Sequence, residues 1–83
     1  MAFGDDTIDP RVLLKIGDLH AKAGLKQLAI EAYLKVARLY VEEHSWTKAL
    51  AVYKQILKLD PELVDVRLRI AALYRDLGIP ERD

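Results

Sequence analysis

Between Val12 and Leu77 apolar residues recur at intervals of three and four, in four runs parted by short breaks. That spacing puts each run on one side of a helix. The first run is Val12, Leu13, Ile16, Leu19 and Ala23. Asp9 precedes it as an N-cap, Pro10 suits the first turn, and Gly24 follows as a C-terminal glycine with Lys22 in the last turn. The pattern predicts helix 1 over 10–23. The second run, Leu28, Ala29, Ala32, Tyr33, Val36, Ala37, Leu39 and Tyr40, predicts helix 2 over 26–43. It ends on Glu42, Glu43 and His44, whose acids oppose the helix dipole slightly.

The third run, Trp46, Ala49, Leu50, Val52, Tyr53, Ile56 and Leu57, follows Ser45 as a candidate N-cap. It stops before Pro61, which pushes Asp60 out of the helical region. Helix 3 is expected over 46–59. Asp60-Pro61 repeats the Asp9-Pro10 start signal. Helix 4 is therefore expected over 62–77, carrying Leu63, Val66, Ile70, Ala71, Leu73, Tyr74 and Leu77, with Gly78 and Pro80 as stops. No stretch alternates with period two, and no Asn-Gly or Asp-Gly hairpin turn occurs. The fold class is all-α, and the short connections make neighbouring helices antiparallel. Residues 1–8 are expected to be a flexible leader, 9–79 a single helical domain and 80–83 a tail.

The runs also repeat one another. Displaced by 20 residues, Leu14 meets Leu34, Lys15 meets Lys35, Leu19 meets Leu39, Ala29 meets Ala49 and Tyr33 meets Tyr53. Ile16, Gly17 and His20 meet Val36, Ala37 and Tyr40. Displaced by 34, Leu34, Ala37, Leu39 and Tyr40 meet Leu68, Ala71, Leu73 and Tyr74. Small residues at such places let helix backbones approach, and the aromatics fill the wider gaps beside them.

A period of 34 in helical pairs resembles the tetratricopeptide repeat (TPR) family. Trp46, Ala49, Tyr53 and Pro61 match the second half of such a unit. First-half signatures stand at Ile16-Gly17 with His20, Val36-Ala37 with Tyr40, and Ile70-Ala71 with Tyr74. Helix 2 carries both halves: Ala29 and Tyr33 pair it with helix 1, and Ala37 and Tyr40 pair it with helix 3. The units overlap, so the resemblance implies a TPR-like helix-turn-helix array in the order first-half, dual, second-half, first-half. Gly17, Ala29, Tyr33, Ala37, Tyr40, Trp46, Ala49, Tyr53 and Pro61 are the repeat-packing residues. Trp46 is assigned to packing between helices 2 and 3 rather than to an exposed anchor.

Composition narrows the function. Lys plus Arg is 13 and Asp plus Glu is 13, a net charge of zero. That balance speaks against nucleic acid and against a polybasic membrane anchor. No apolar stretch approaches the roughly 20 residues that span a bilayer. The chain has no cysteine, hence no thiolate metal site, which suits a cytoplasmic setting. Neither His20 nor His44 stands in a metal-binding motif, and Gly17 and Gly24 form no phosphate loop. Ser45, Thr7 and Thr47 have no base at a catalytic spacing. The expectation is no enzyme, no metal, no cofactor and no small-molecule substrate.

The resemblance implies a protein-binding scaffold whose partner is a helix or peptide of another protein. If helices 1, 2 and 4 line the groove, its side carries Leu14, Asp18, Ala21, Leu34, Arg38, Val41, Leu68, Ala72 and Arg75. The chief candidates are Leu14, Asp18, Leu34, Arg38, Leu68 and Arg75. The family's clamp for C-terminal carboxylates uses Lys, Arg and Asn; this chain has Leu14, Asp18, Leu34 and Arg38 at those places, so that activity is not expected. The alternative is self-association: helix 4 lacks the second-half partner its signature calls for, and Ile70, Ala71, Tyr74 and Leu77 would meet a second copy or the next unit of a longer array.

Overall fold

The computed structural model describes residues 9–77. The expected leader, the tail and the Gly78 and Pro80 stops lie outside them. The described chain is four helices: α1 (Pro10–Lys22), α2 (Lys26–Glu42), α3 (Trp46–Leu59) and α4 (Val64–Leu77). No strand occurs among these residues. Each helix packs on its chain neighbour, α1 on α2, α2 on α3 and α3 on α4, and the last contact is the sparsest.

Local chemistry sets the ends. Asp9 is extended, and its carboxylate accepts the Arg11 backbone N–H at 2.8 Å, the expected cap. Arg11 also pairs with Asp9 through its guanidinium, and these hydrogen bonds hold the Asp9 carboxyl below its ordinary range. Helices α1 and α2 both end one residue earlier than the spacing predicts. Ala23 and Glu43 serve as C-caps with ψ near zero, and the next residue turns left-handed. Gly24 does so at φ 78° and His44 at φ 60°. In each turn two backbone N–H groups fold back: Gly24 to Ala21 and Leu25 to His20, then His44 to Val41 and Ser45 to Tyr40. This is the paired closure of a Schellman motif. The 20-residue repetition in the sequence is thus a repeated turn geometry.

Two expectations need correction. Ser45 occupies the N-cap of α3, but its side chain makes no capping hydrogen bond. The turn holds Ser45 at φ −91° and ψ 71°, short of the extended conformation that lets Asp9 cap α1. The second concerns α4, which begins at Val64 rather than at 62. Asp60 does bond the N–H two residues on, as Asp9 does, here that of Glu62 at 3.2 Å. Arg67 reaches back to the Pro61 carbonyl at 2.7 and 3.1 Å. Together they hold Pro61 and Glu62 as a turn, and the helix starts after it.

The core gathers on the inner helices. Ala29, Ile30, Ala32, Tyr33, Val36, Ala37 and Tyr40 of α2 are buried, as are Ala49, Val52, Tyr53 and Ile56 of α3. By contrast α1 buries only Gly17 fully, and α4 only Val66 and Leu73. The α1 stripe read from spacing lies largely outside: Val12, Ile16 and Leu19 are exposed, while Leu13, Leu14 and Ala21 pack on the core. Among the described residues α1 and α4 each pack on one helix, which leaves an apolar face of each uncovered.

Candidate partner-binding groove

A close contact between two helices supports the site. At Gly17 the α1 backbone meets the ring of Tyr33 on α2, and a Cβ there would come within 2.7 Å of the ring. Tyr33 is 1% exposed, and its hydroxyl donates to Asp18 Oδ1 at 2.5 Å. Burial first, and the hydrogen bond to the Asp18 carboxylate second, push the Tyr33 phenol up to about 12 from 10.0. Both effects disfavour the tyrosinate, so the phenol remains a donor and Asp18 its anionic acceptor.

One turn before Asp18, Leu14 is half-buried against the core. Leu14 and Asp18 line a shallow open groove of about 280 Å³ whose opposite wall is Ala51, Val52 and Gln55 of α3. The groove exists because α2 packs against both α1 and α3 while those two make no close backbone approach. Its lining is mostly aliphatic, with one carboxylate and one amide. Among the described residues no group of three or more His, Asp or Glu side chains is arranged to hold a metal. No helix among them is long and apolar enough to cross a membrane.

Of the expected partner-binding residues, Leu14 and Asp18 come together in this groove. Leu34 is half-buried against the core, Arg38 and Arg75 are exposed, and Leu68 is 63% exposed on α4. None of those four lines the α1–α3 groove. Ala51, Val52 and Gln55 were not among the sequence candidates. Their signal lies in the order of helices, since alternate helices of an array share a side, whereas the repeat pattern places α3 wholly in second-half packing. The residues proposed for self-association are partly covered: Ile70 packs on the core, Ala71 and Leu77 are half-buried, and Tyr74 lies under the Lys54 ammonium at 5.6 Å.

Ala29, Ala37 and Ala49 are wholly buried, and Tyr33, Tyr40 and Tyr53 nearly so. Trp46 packs partly buried against the core and sits 5.1 Å from the His44 ring. Pro61 is exposed in the turn before α4.

Comparison with known proteins agrees with this architecture. A tetratricopeptide repeat family model matches residues 30–73, from the first turns of α2 through α3 into α4. No curated protein and no solved structure gives a significant match. The matched span contains most of α2, all of α3 and most of α4, including Ala37, Tyr40, Ala49 and Tyr53. It covers more than half of the 83 residues, and the chain belongs to the tetratricopeptide repeat family.

Proposed function

We propose that this chain is a non-catalytic interaction module that holds a helix or extended segment of a partner protein in the α1–α3 groove. Tetratricopeptide repeats are generally protein–protein interaction modules. The observation that carries the reading here is the groove lined by Leu14, Asp18, Ala51, Val52 and Gln55. Aliphatic walls with few polar groups suit an amphipathic segment, whose apolar side enters while its polar side stays in water. Leu34, Arg38, Leu68 and Arg75 would extend the contact surface beyond it. The reading includes a single domain over 9–79 and a cytoplasmic setting, in keeping with a chain that has no cysteine.

Blocking the groove tests it. Gln55 is exposed, so Gln55→Trp fills the groove without entering the core. The expected result is a folded variant that loses the partners retained by the parent. A folded Gln55→Trp that keeps every partner would overturn the reading.

A second reading is favoured by where large apolar side chains meet solvent. Val12, Ile16 and Leu19 on α1, Leu25 in the turn after it and Leu28 at the start of α2 are exposed, as are Val64 and Leu68 on α4, with none on α3. Two copies stacked end to end would cover both faces. Leu19→Glu and Leu68→Glu would each block one face, and an equimolar mixture would restore a dimer through the two intact ones. Light scattering that finds one chain mass in the parent at every concentration rejects this reading.

A further inference from the structure

Asp18 is the one charged side chain lining the groove. Its Oδ1 accepts the Tyr33 hydroxyl at 2.5 Å, and among the described residues no cation lies within ion-pair distance of either oxygen. Oδ2 has no hydrogen-bond partner among those residues. Lys15 and Lys22 lie within a turn of Asp18 on α1, but both are exposed and neither pairs with it. Charge pairs one turn apart on an exposed helix face contribute little, so a partner cation can displace them. Among the described residues the carboxylate is therefore held by a neutral donor and makes no ion pair.

We propose that the groove selects a partner segment that places a basic side chain beside an aliphatic one. The aliphatic group packs on Leu14 and Val52, and the cation meets Asp18. The inference rests on the groove being the docking site. Two physical effects support it. A docking segment strips water from Asp18, and a carboxylate covered without a partner is costly, which rejects apolar and acidic neighbours. Tyr33 is buried and supplies its hydrogen bond before any partner arrives, so little side-chain freedom remains to be lost on docking. Gln55 on the far wall can donate to or accept from the backbone or a polar side chain of the segment.

The test uses alanine-based helical peptides, each with a leucine and, four residues later, Arg, Gln or Glu. Isotope-labelled protein is titrated and its amide resonances followed, which reads weak binding directly. The Arg peptide is expected to move the amides of Leu14, Asp18, Ala51 and Gln55 and to bind about ten-fold tighter than the Gln peptide, with Glu weaker still. Asp18→Asn keeps an acceptor for the Tyr33 hydroxyl and removes the charge; it should bring the Arg and Gln peptides level. Equal binding of the Arg and Glu peptides in the groove would overturn the inference and leave the groove reading standing. An Arg preference that survives Asp18→Asn would also overturn it, since the cation is then read elsewhere. Absence of shifts at groove amides with all three peptides would overturn both.

Discussion

Gly17 faces the Tyr33 ring so closely that a Cβ at position 17 would stand 2.7 Å from Cε1 and 2.9 Å from Cδ1. The ring cannot easily retreat, because Tyr33 is buried and its hydroxyl is tied to Asp18. Alanine at a helix interior normally gains about 1 kcal/mol over glycine. Overpacking a tight contact costs about 1–3 kcal/mol, so Gly17→Ala should be net destabilising. Urea unfolding would show a lower midpoint at similar slope. Combining it with Tyr33→Leu should return part of the loss; a Gly17→Ala chain more stable than the parent would contradict the packing.

The two left-handed turn residues should respond in opposite directions. Gly24 has φ 78° and open space where a Cβ would go, so Gly24→Ala meets backbone strain alone. A loss of about 1 kcal/mol is expected. His44 already adopts φ 60° with a side chain, so His44→Gly relieves the same strain and should gain somewhat less than about 1 kcal/mol. Part of the gain is lost with the His44–Trp46 ring contact. Thermal unfolding of the two variants checks both signs.

Tyr33 gives the fold an alkaline limit. Its phenol titrates near 12 in the folded chain against 10.0 unfolded, so the folded state holds the proton more tightly. The stabilisation is complete below pH 10 and is lost as pH rises through about 12. Two pH units correspond to about 2–3 kcal/mol. Tyr33→Phe should cost about 1 kcal/mol at neutral pH through the lost hydrogen bond. It should also show a shallower fall in stability between pH 10 and 12 than the parent. Ultraviolet titration should find a late-ionising step from Tyr33, and the variant should lack that step.

Hydrogen exchange should rank the helices by their neighbours. Buried side chains concentrate on α2 and α3, so their mid-helix amides should exchange at the slow, global limit. The α4 amides should exchange by local opening, since that helix buries only Val66 and Leu73 and, among the described residues, packs on α3 alone. Arg67→Ala removes the link to the Pro61 carbonyl and should speed exchange over the first α4 turns while leaving α2 unchanged. Uniform protection across all four helices would count against this ordering.

Much of this chain is legible in its residues because the determinants are local. The helix class follows from apolar spacing, the α1 start from Asp9 and Pro10, and the α1 end from Gly24. Gly17 is visible because close approach needs a small residue wherever the partner lies, and the wholly buried Ala29, Ala37 and Ala49 stand out in the same repeated pattern. The His44 turn was half-visible. Its place in the 20-residue repetition matches Gly24, yet a histidine carries no signal for a left-handed backbone.

Burial of particular faces was decided only in three dimensions. Ile16 and Val36 hold the same place in the repeated pattern, yet Ile16 is 40% exposed and Val36 wholly buried. The residues are equivalent and their neighbours are not: among the described residues α2 lies between two helices, whereas α1 packs on one. The groove likewise joins Leu14 and Asp18 to Ala51, Val52 and Gln55, residues more than 30 positions apart that no spacing rule connects. Sequence periodicity states which residues share a helix face; which face meets which follows from the order of packing, because burial depends on the other helix as much as on the residue itself.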